Sequence, residues 1–465
     1  MKKIRIGQKE IIHFIGIGGI GMSGLAQVMK TMGFKIQGSD QSKNKAVLNC
    51  MKAGIRVYTN HSKNNLKNTT IVVKSSAVKD SNIEIKQAKK KNIPIYSRAE
   101  ILANVVSLKK NIIVTGSHGK TTTTSLIGKI LSDQKLDPTI INGGVINSLN
   151  NNAKLGKGEW AILEADESDG SFLKLPINYS IVTNIDYEHL DYYKNFENLE
   201  KAFIEFINKT PPIGKSLICV DNKNIKRIQN KIKNKNILTY GFNKKANYRI
   251  TNARYKSTYS LFDLNYKSLK NKRQTIKNIN LKLIGEHNVL NASAAVAVCI
   301  NLGVKIDIIK KSLKTFSGVQ RRMTKIFTKN KNDFFDDYAH HPTEISSVLR
   351  GVKKSYSKRK IITVFEPHRY SRINALKIEF SKSFKESHTV LICPIYAAGE
   401  KKSANFNLIN FAKLISKNSR TQVVILRNQK ELSNYFKKNL IEDEIIIGMG
   451  AGSISQWMNE LKYNL

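Results

Sequence analysis

The chain has little that would suit an oxidising environment or a membrane. Its four cysteines, Cys50, Cys219, Cys299 and Cys393, are scattered without paired spacing, which excludes a zinc knuckle and a disulfide framework. They read as core or surface residues of a protein kept in a reducing compartment. No stretch reaches about 18 unbroken apolar residues, the usual minimum for a membrane span. Residues 1–5 and the apolar run behind them have the outline of a signal peptide. Gly16, Gly18, Gly19 and Gly21 break that run, and a strand–turn–helix suits it better. A cytoplasmic location with no membrane partner is expected. There is no internal repeat of solenoid length.

Acid is scarce as well. Thirty-five Asp and Glu face 78 Lys and Arg, for a formal net charge of +43 over 465 residues. Such a balance ordinarily suggests nucleic acid. Here the lysines run the whole length, interleaved with asparagine and isoleucine, with no arginine-rich block or basic–aromatic platform. General lysine and asparagine bias accounts for them, and no nucleic-acid partner is expected. A P-loop protein acting on nucleic acid stays open as an alternative. Attraction for anionic substrates comes with the charge. The 41% hydrophobic content fits a globular protein, and the length allows two to four domains.

What is present is a succession of strand–glycine turn–helix units. Ile112-Ile113-Val114-Thr115 reads as a buried strand, Gly116-Ser117-His118-Gly119 as a tight turn, and Lys120-Thr121-Thr122 as a helix start. Backbone N–H groups there face a phosphate chain at the positive end of the helix dipole. Lys120 adds a charge for the outer phosphates, and the Thr121 hydroxyl can ligate magnesium. The P-loop consensus wants glycine where Val114 stands. Upstream, a strand at residues 11–15 runs into Gly16-Ile17-Gly18-Gly19-Ile20-Gly21, then a helix, then a strand ending at Asp40, which sits where a ribose hydroxyl is gripped. A nicotinamide or flavin dehydrogenase shares that arrangement and stays open.

Further motifs sit at strand ends, where ligands of parallel sheets gather. Glu164 opens the acidic run Glu164-Ala165-Asp166-Glu167-Ser168-Asp169 and suits magnesium, as against a solvated loop. His189, after the strand at 179–184, can ligate a second ion or be an ordinary surface histidine. Asn288 and Asn291, three residues apart, share a helical face and can reach a base or phosphate; capping by Asn288 is the plain alternative. Arg322 can reach a phosphate across a domain cleft. Arg369 and Arg372 suit carboxylate or phosphate. The run Asp336-Asp337-Tyr338-Ala339-His340-His341 looks like a metal cluster but fits no hydrolase spacing. Lysine-rich alternation over residues 243–280 predicts exposed hairpins appended to the central sheet, and residues 98–110 a helical connector.

The order of these motifs resembles the ATP-dependent Mur ligases over essentially the whole chain. Residues 13–24, 164–169, 337–342 and 366–372 carry the resemblance most specifically. It implies an α/β protein of three domains. A Rossmann-like UDP-sugar domain would span 1–109, a central P-loop ATPase-type parallel sheet with added β-hairpins 110–317, and a Rossmann-like C-terminal domain 318–465, closing over the cleft. It implies ATP as co-substrate, two Mg2+ ions, and joining of L-alanine to the carboxylate of UDP-N-acetylmuramate; no oligomeric state is implied. The corresponding residues would be Gly116 to Thr122, Asn288, Asn291, Arg322 and Asp337 for ATP, and Thr121, Glu164 and His189 for metal. Gly18, Gly19, Ile20, Gly21, Met22, Ser23, Asp40, Ser75 and Ser76 would take the UDP-sugar. Tyr338, His340, Arg369 and Arg372 would line the amino-acid site. Lys120, Glu164, His189, Arg322, His340, Arg369 and Arg372 would form the catalytic set. Ala339 stands where the family has glycine, and Ser117 where it has threonine. A family branch that ligates recycled murein tripeptide shares much of the pattern.

Overall fold

The computed structural model describes residues 6–7, 9–268, 272–401 and 406–465; the signal-like residues 1–5 lie outside them. Three sheets organise the chain. In the first, Ile11–Ile15 lies between Lys35–Ser39 and Ile71–Lys74, with Arg56–Tyr58 and Ile95–Ser97 at the edges. All neighbours are parallel. The strand order reverses direction beside Ile11–Ile15, so the glycine turn leaves the sheet at its switch point, where such sheets hold ligands.

The second sheet has ten strands. Lys110–Thr115 lies at its centre, parallel to Tyr179–Val182 and Trp160–Glu164. The expected connector is helical only over Arg98–Val105, and its last residue, Lys110, already starts the strand. Tyr248–Tyr255, Ser260–Lys267 and Arg273–Leu281 extend one edge as expected; Thr139–Ile146 and Asn151–Lys154, not read from the sequence, complete the other.

The third sheet runs Thr324–Lys329, Asn332–Asp337, Glu444–Met449, Lys360–Phe365, Thr389–Ile392, Gln422–Ile425. Only its first pair is antiparallel. Alternate residues feed two cores: Ile361, Phe365, Ile445 and Ile447 join one, and Ile362, Val364 and Ile446 the other. A parallel sheet covered on both faces needs such continuous apolar strands.

The first sheet and most of the second share one compact unit, residues to Asn252 with Phe262–Ile279 and Leu290–Ser317. The third sheet lies in a second unit, Ala253–Leu261, Asn280–Val289 and Gly318–Leu465. Inside the first unit, the helix Ile20–Thr31 docks on the strand Asn151–Lys154. The Asn152 side-chain amide donates to the Ile20 carbonyl at 2.7 Å, and a Cβ on Gly24 would come within 2.7 Å of that same nitrogen. Among the described residues, no helix is long and apolar enough to cross a membrane.

Candidate active site

The P-loop is formed by Gly116–Gly119 between the strand Lys110–Thr115 and the helix Lys120–Asp133. Gly119 has φ 84°, the left-handed region open to glycine, and a Cβ there would run into the Asn291 amide. The loop is clamped by the segment that follows Tyr179–Val182. The Thr183 hydroxyl donates to the His118 carbonyl at 2.6 Å, and the His118 N–H to Asn184 Oδ1 at 2.8 Å. Asp186 N–H donates to the Ser117 hydroxyl at 2.8 Å, and the His118 ring stands 3.2 Å from the Asp186 carboxylate. Thr122 is buried beneath the turn.

Lys120 folds back over the loop. Its ammonium donates to the Gly116 carbonyl at 2.6 Å and to both Glu167 oxygens, at 2.8 and 3.2 Å. Burial disfavours that charge, but Glu167, Asp166 and Glu164 outweigh it and hold the Lys120 pKa above its ordinary value. Burial likewise disfavours the Glu167 carboxylate, and Lys120 and His189 overcome it, holding Glu167 at about 2. His189 lies 3.5 Å from Glu167; burial would lower its pKa, and the Glu167 carboxylate raises it instead. His189 adopts φ 58°, ψ 30°, a conformation that costs a non-glycine residue on the order of 1–3 kcal/mol and that surrounding structure must enforce.

Glu164, at the end of Trp160–Glu164, accepts from the Thr121 hydroxyl at 3.1 Å and from Gly143 N–H at 2.5 Å. A Cβ on Gly143 would run into this carboxylate and displace it. Ligand atoms of Asp166, Glu167 and His189 lie within 4.8 Å of one another. Hydroxyl and carboxylate oxygens are the donor types a hard divalent cation accepts, and Thr121, Glu164, Asp166 and Glu167 supply them, so these residues fit magnesium, with the softer His189 imidazole beside them. Glu167 and Gly143 are the residues that motif reading missed. The acidic run in so basic a chain marked the region but did not single out Glu167, and Gly143-Gly144 carried no signal beyond its glycines.

The first sheet assembles most of the UDP-sugar set. Asp40 accepts from Gly18 N–H at 2.8 Å, and the Ser39 carbonyl from Gly16 and Ile17 N–H at 2.8 and 3.0 Å. The carboxylate thus braces the turn itself. Gly19 caps the helix Ile20–Thr31 and Ile20 is exposed. The Arg98 guanidinium is so close to Gly21 that a Cβ would lie 2.9 Å from it, and the Ser75 side chain packs against Gly16. Ser76 is exposed. The Met22 and Ser23 side chains are buried, and the Ser23 hydroxyl donates back to the Ile20 carbonyl at 2.9 Å. They shape the helix start. Behind the turn, Glu84 is fully buried and accepts from Ser39, Asn65 and His61 at 2.6, 2.7 and 2.9 Å. Burial opposes this carboxylate, and hydrogen bonds from His13, Ser39 and Asn65 outweigh it, holding Glu84 at about 2.

In the second unit Tyr338 lies under two guanidinium groups, Arg321 at 4.8 Å and Arg322 at 5.3 Å from the ring centre. His340 follows at 5.2 Å and His368 at 5.6 Å between ring centres. Arg372 donates to His368 Nδ1 at 3.1 Å. Burial, then His340, Arg372 and Arg369, push the His368 pKa down to about 3, so a neutral ring acts as acceptor for Arg372. His368 is a further residue the motif reading left without a role. Arg369 has φ 67°, ψ 129° and opens the helix Tyr370–Ala375, its N–H donating to the Tyr396 carbonyl at 2.9 Å. Asp337 is buried and accepts from Met323 and Ala339 N–H at 2.7 and 2.8 Å. Burial raises its pKa to about 6. The acidic–histidine run that looked like a metal cluster is shared among separate tasks. Asp336 takes the Ser455 hydroxyl at 2.5 Å, and His341 caps the helix Pro342–Ser355. Asn288 lies inside the first turn of Glu286–Asn301, its amide donating to the Ile284 carbonyl at 2.8 Å, so the capping alternative is set aside.

Comparison with known proteins agrees with this arrangement. Three family patterns match in succession: the Mur ligase family catalytic domain over residues 11–110, the Mur ligase middle domain over 114–299, and the Mur ligase glutamate ligase domain over 321–452. The chain is 53% identical over 459 residues to a UDP-N-acetylmuramate–L-alanine ligase of Pelagibacter ubique, covering 99% of each chain. Among solved structures, a UDP-N-acetylmuramate–alanine ligase from Thermotoga maritima superposes with a TM-score of 0.81 at 27% identity, covering 97% of this chain and 98% of that one. A murein peptide ligase from Psychrobacter arcticus shares the fold at a TM-score of 0.72 and 20% identity, covering 98% of each. With all three domain patterns in order around a P-loop whose lysine and threonine meet acidic strand-end residues, the chain belongs to the Mur ligase family.

Proposed function

We propose that this ligase joins L-alanine to the carboxylate of UDP-N-acetylmuramate, cleaving ATP to ADP and phosphate, in the synthesis of peptidoglycan precursors in the cytoplasm. The observation that carries the reading is the full-length 53% identity to the Pelagibacter ligase of that name. The geometry around Lys120 supports it. Residues 1–109 are assigned to the UDP-sugar, 110–317 to ATP, and 318–465 to completing the ATP and amino-acid sites.

A carboxylate does not react with an amine, because its leaving group would be an oxide. Attack of a carboxylate oxygen on the γ-phosphorus, with ADP departing, gives an acyl phosphate. The alanine nitrogen then attacks the acyl carbon, phosphate leaves with the oxygen that attacked, and the nitrogen loses a proton. Lys120 exchanges Glu167 for the γ-phosphoryl oxygens and neutralises charge as it transfers. Thr121, Glu164 and His189, with Asp166 and Glu167 beside them, would hold magnesium, which when bound screens phosphate charge. Asn291, packed on Gly119, and Asn288 would contact the nucleotide, as would Arg322 and Asp337. Arg369 and Arg372 hold carboxylate or phosphoryl oxygens, with His368 keeping Arg372 in place and Tyr338 and His340 lining the amino-acid site.

Phosphate release with UDP-N-acetylmuramate against a panel of amino acids and murein tripeptide tests the reading. Release dependent on L-alanine is expected. Release with the tripeptide and not with alanine would assign the chain to the recycling branch, and protection by NAD rather than UDP-sugar in thermal melting would restore the dehydrogenase reading.

A further inference from the structure

Most of the +43 charge is diffuse, but at one place the fold concentrates it. A cavity of about 830 Å3 in the first unit is lined by six cations, Lys215, Lys244, Lys245, Arg249, Lys267 and Arg273, and none of the described residues lining it is acidic. Arg249 Nε is buried and has no hydrogen-bond partner among the described residues. A dry guanidinium nitrogen without an acceptor is costly, and converging like charges raise the free energy further. An anion in the cavity relieves the repulsion. The cavity wall also carries Tyr248 and Tyr266, stacked with ring centres 5.5 Å apart and planes 8° apart. Asn301 fixes Tyr248 by donating to its hydroxyl at 2.8 Å. The C-terminus of the helix Glu286–Asn301 also reaches this wall, and its partial negative charge of about half a unit is small against six full positive ones.

The cavity stands apart from the P-loop. Lys215 begins the strand Lys215–Cys219, level with Tyr179 and through it with Ile112, whereas the P-loop leaves the opposite end of Lys110–Thr115. On the helix, Ile300 lies nine residues beyond Asn291, about 14 Å at 1.5 Å per residue. We propose that this cavity is a second anion site, built for a nucleotide-sized ligand carrying several phosphate charges, its phosphates on Arg249 and the lysines and a flat ring against the tyrosine wall. Its volume is in the range of small-ligand sites. The proposal does not depend on the ligase reading.

Calorimetric titration of the full chain with inorganic tripolyphosphate, at about 0.15 M salt to suppress diffuse binding, tests it. Two components of defined stoichiometry are expected. One weakens about tenfold or more, the loss of a charge-assisted contact, in Arg249→Ala and in the Lys244→Glu/Lys245→Glu pair. The other persists, and turnover in phosphate release is unchanged, which also shows that the variants fold. The paired variant changes exposed residues only and so serves if Arg249→Ala does not fold. Identical titrations for wild type and the paired variant, or binding without defined stoichiometry, would overturn the site. So would a short single-stranded RNA binding through these residues more tightly than tripolyphosphate, since the surface would then be a nucleic-acid contact.

Discussion

Glu164 shows how little room a single residue has at this site. Its two oxygens are taken by Thr121 and by the Gly143 N–H, and a Cβ on Gly143 would force the carboxylate to move. Gly143→Ala should displace the carboxylate and raise the magnesium concentration needed for half-maximal turnover by about 10- to 100-fold, the range for partners that orient a metal ligand; an unchanged magnesium titration would remove Gly143 from that role. Glu84 gives a prediction in pH. Its folded pKa of about 2 lies below the ordinary 4.5, so its contribution is complete above pH 4.5 and lost as pH falls toward 2. The amount is on the order of 3 kcal/mol. Urea midpoints should decline over that window, and Glu84→Gln, weaker at neutral pH, should decline less. Parallel declines would show that another group is responsible.

Among the elements, the helix Ile20–Thr31 carries the glycine turn at one end and the contact with Asn151–Lys154 along its side. Gly24→Val should push the helix off Asn152 and Ala153, destabilise the first unit by about 1–3 kcal/mol and raise the KM for the UDP-sugar. A wild-type melting temperature would contradict the packing argument. Elements of this kind were legible: the β-branched run Ile112–Val114 declared a buried parallel strand, and the glycines after it a turn. Asn332–Asp337 was not. Four of its six residues are polar, yet every one is buried, and groups outside the strand pair with most of their polar atoms. Lys325 and Arg359 pair with Asp333, and Asn332 accepts from Glu444 N–H at 2.7 Å. A local pattern contains no record of partners a hundred residues away. The positive φ of His189 and Arg369 was hidden for the same reason, and so was the choice of Glu167, among neighbouring acids, as the partner of Lys120.

For the whole molecule, the proposed function gives the sugar to the first sheet and the phosphates to the second. Lys120→Ala should reduce phosphate release by about two to three orders of magnitude, as loss of a transition-state charge contact does, while UDP-N-acetylmuramate binding by calorimetry stays near wild type. Equal loss of both would mean that the sheets are not divided in this way. The chemical claim itself is tested most directly by turning over UDP-N-acetylmuramate labelled with oxygen-18 in its carboxylate, together with ATP and L-alanine, and weighing the phosphate released. One labelled oxygen in each phosphate is the result this account predicts. Phosphate free of label would contradict an acyl phosphate and the scheme built on it.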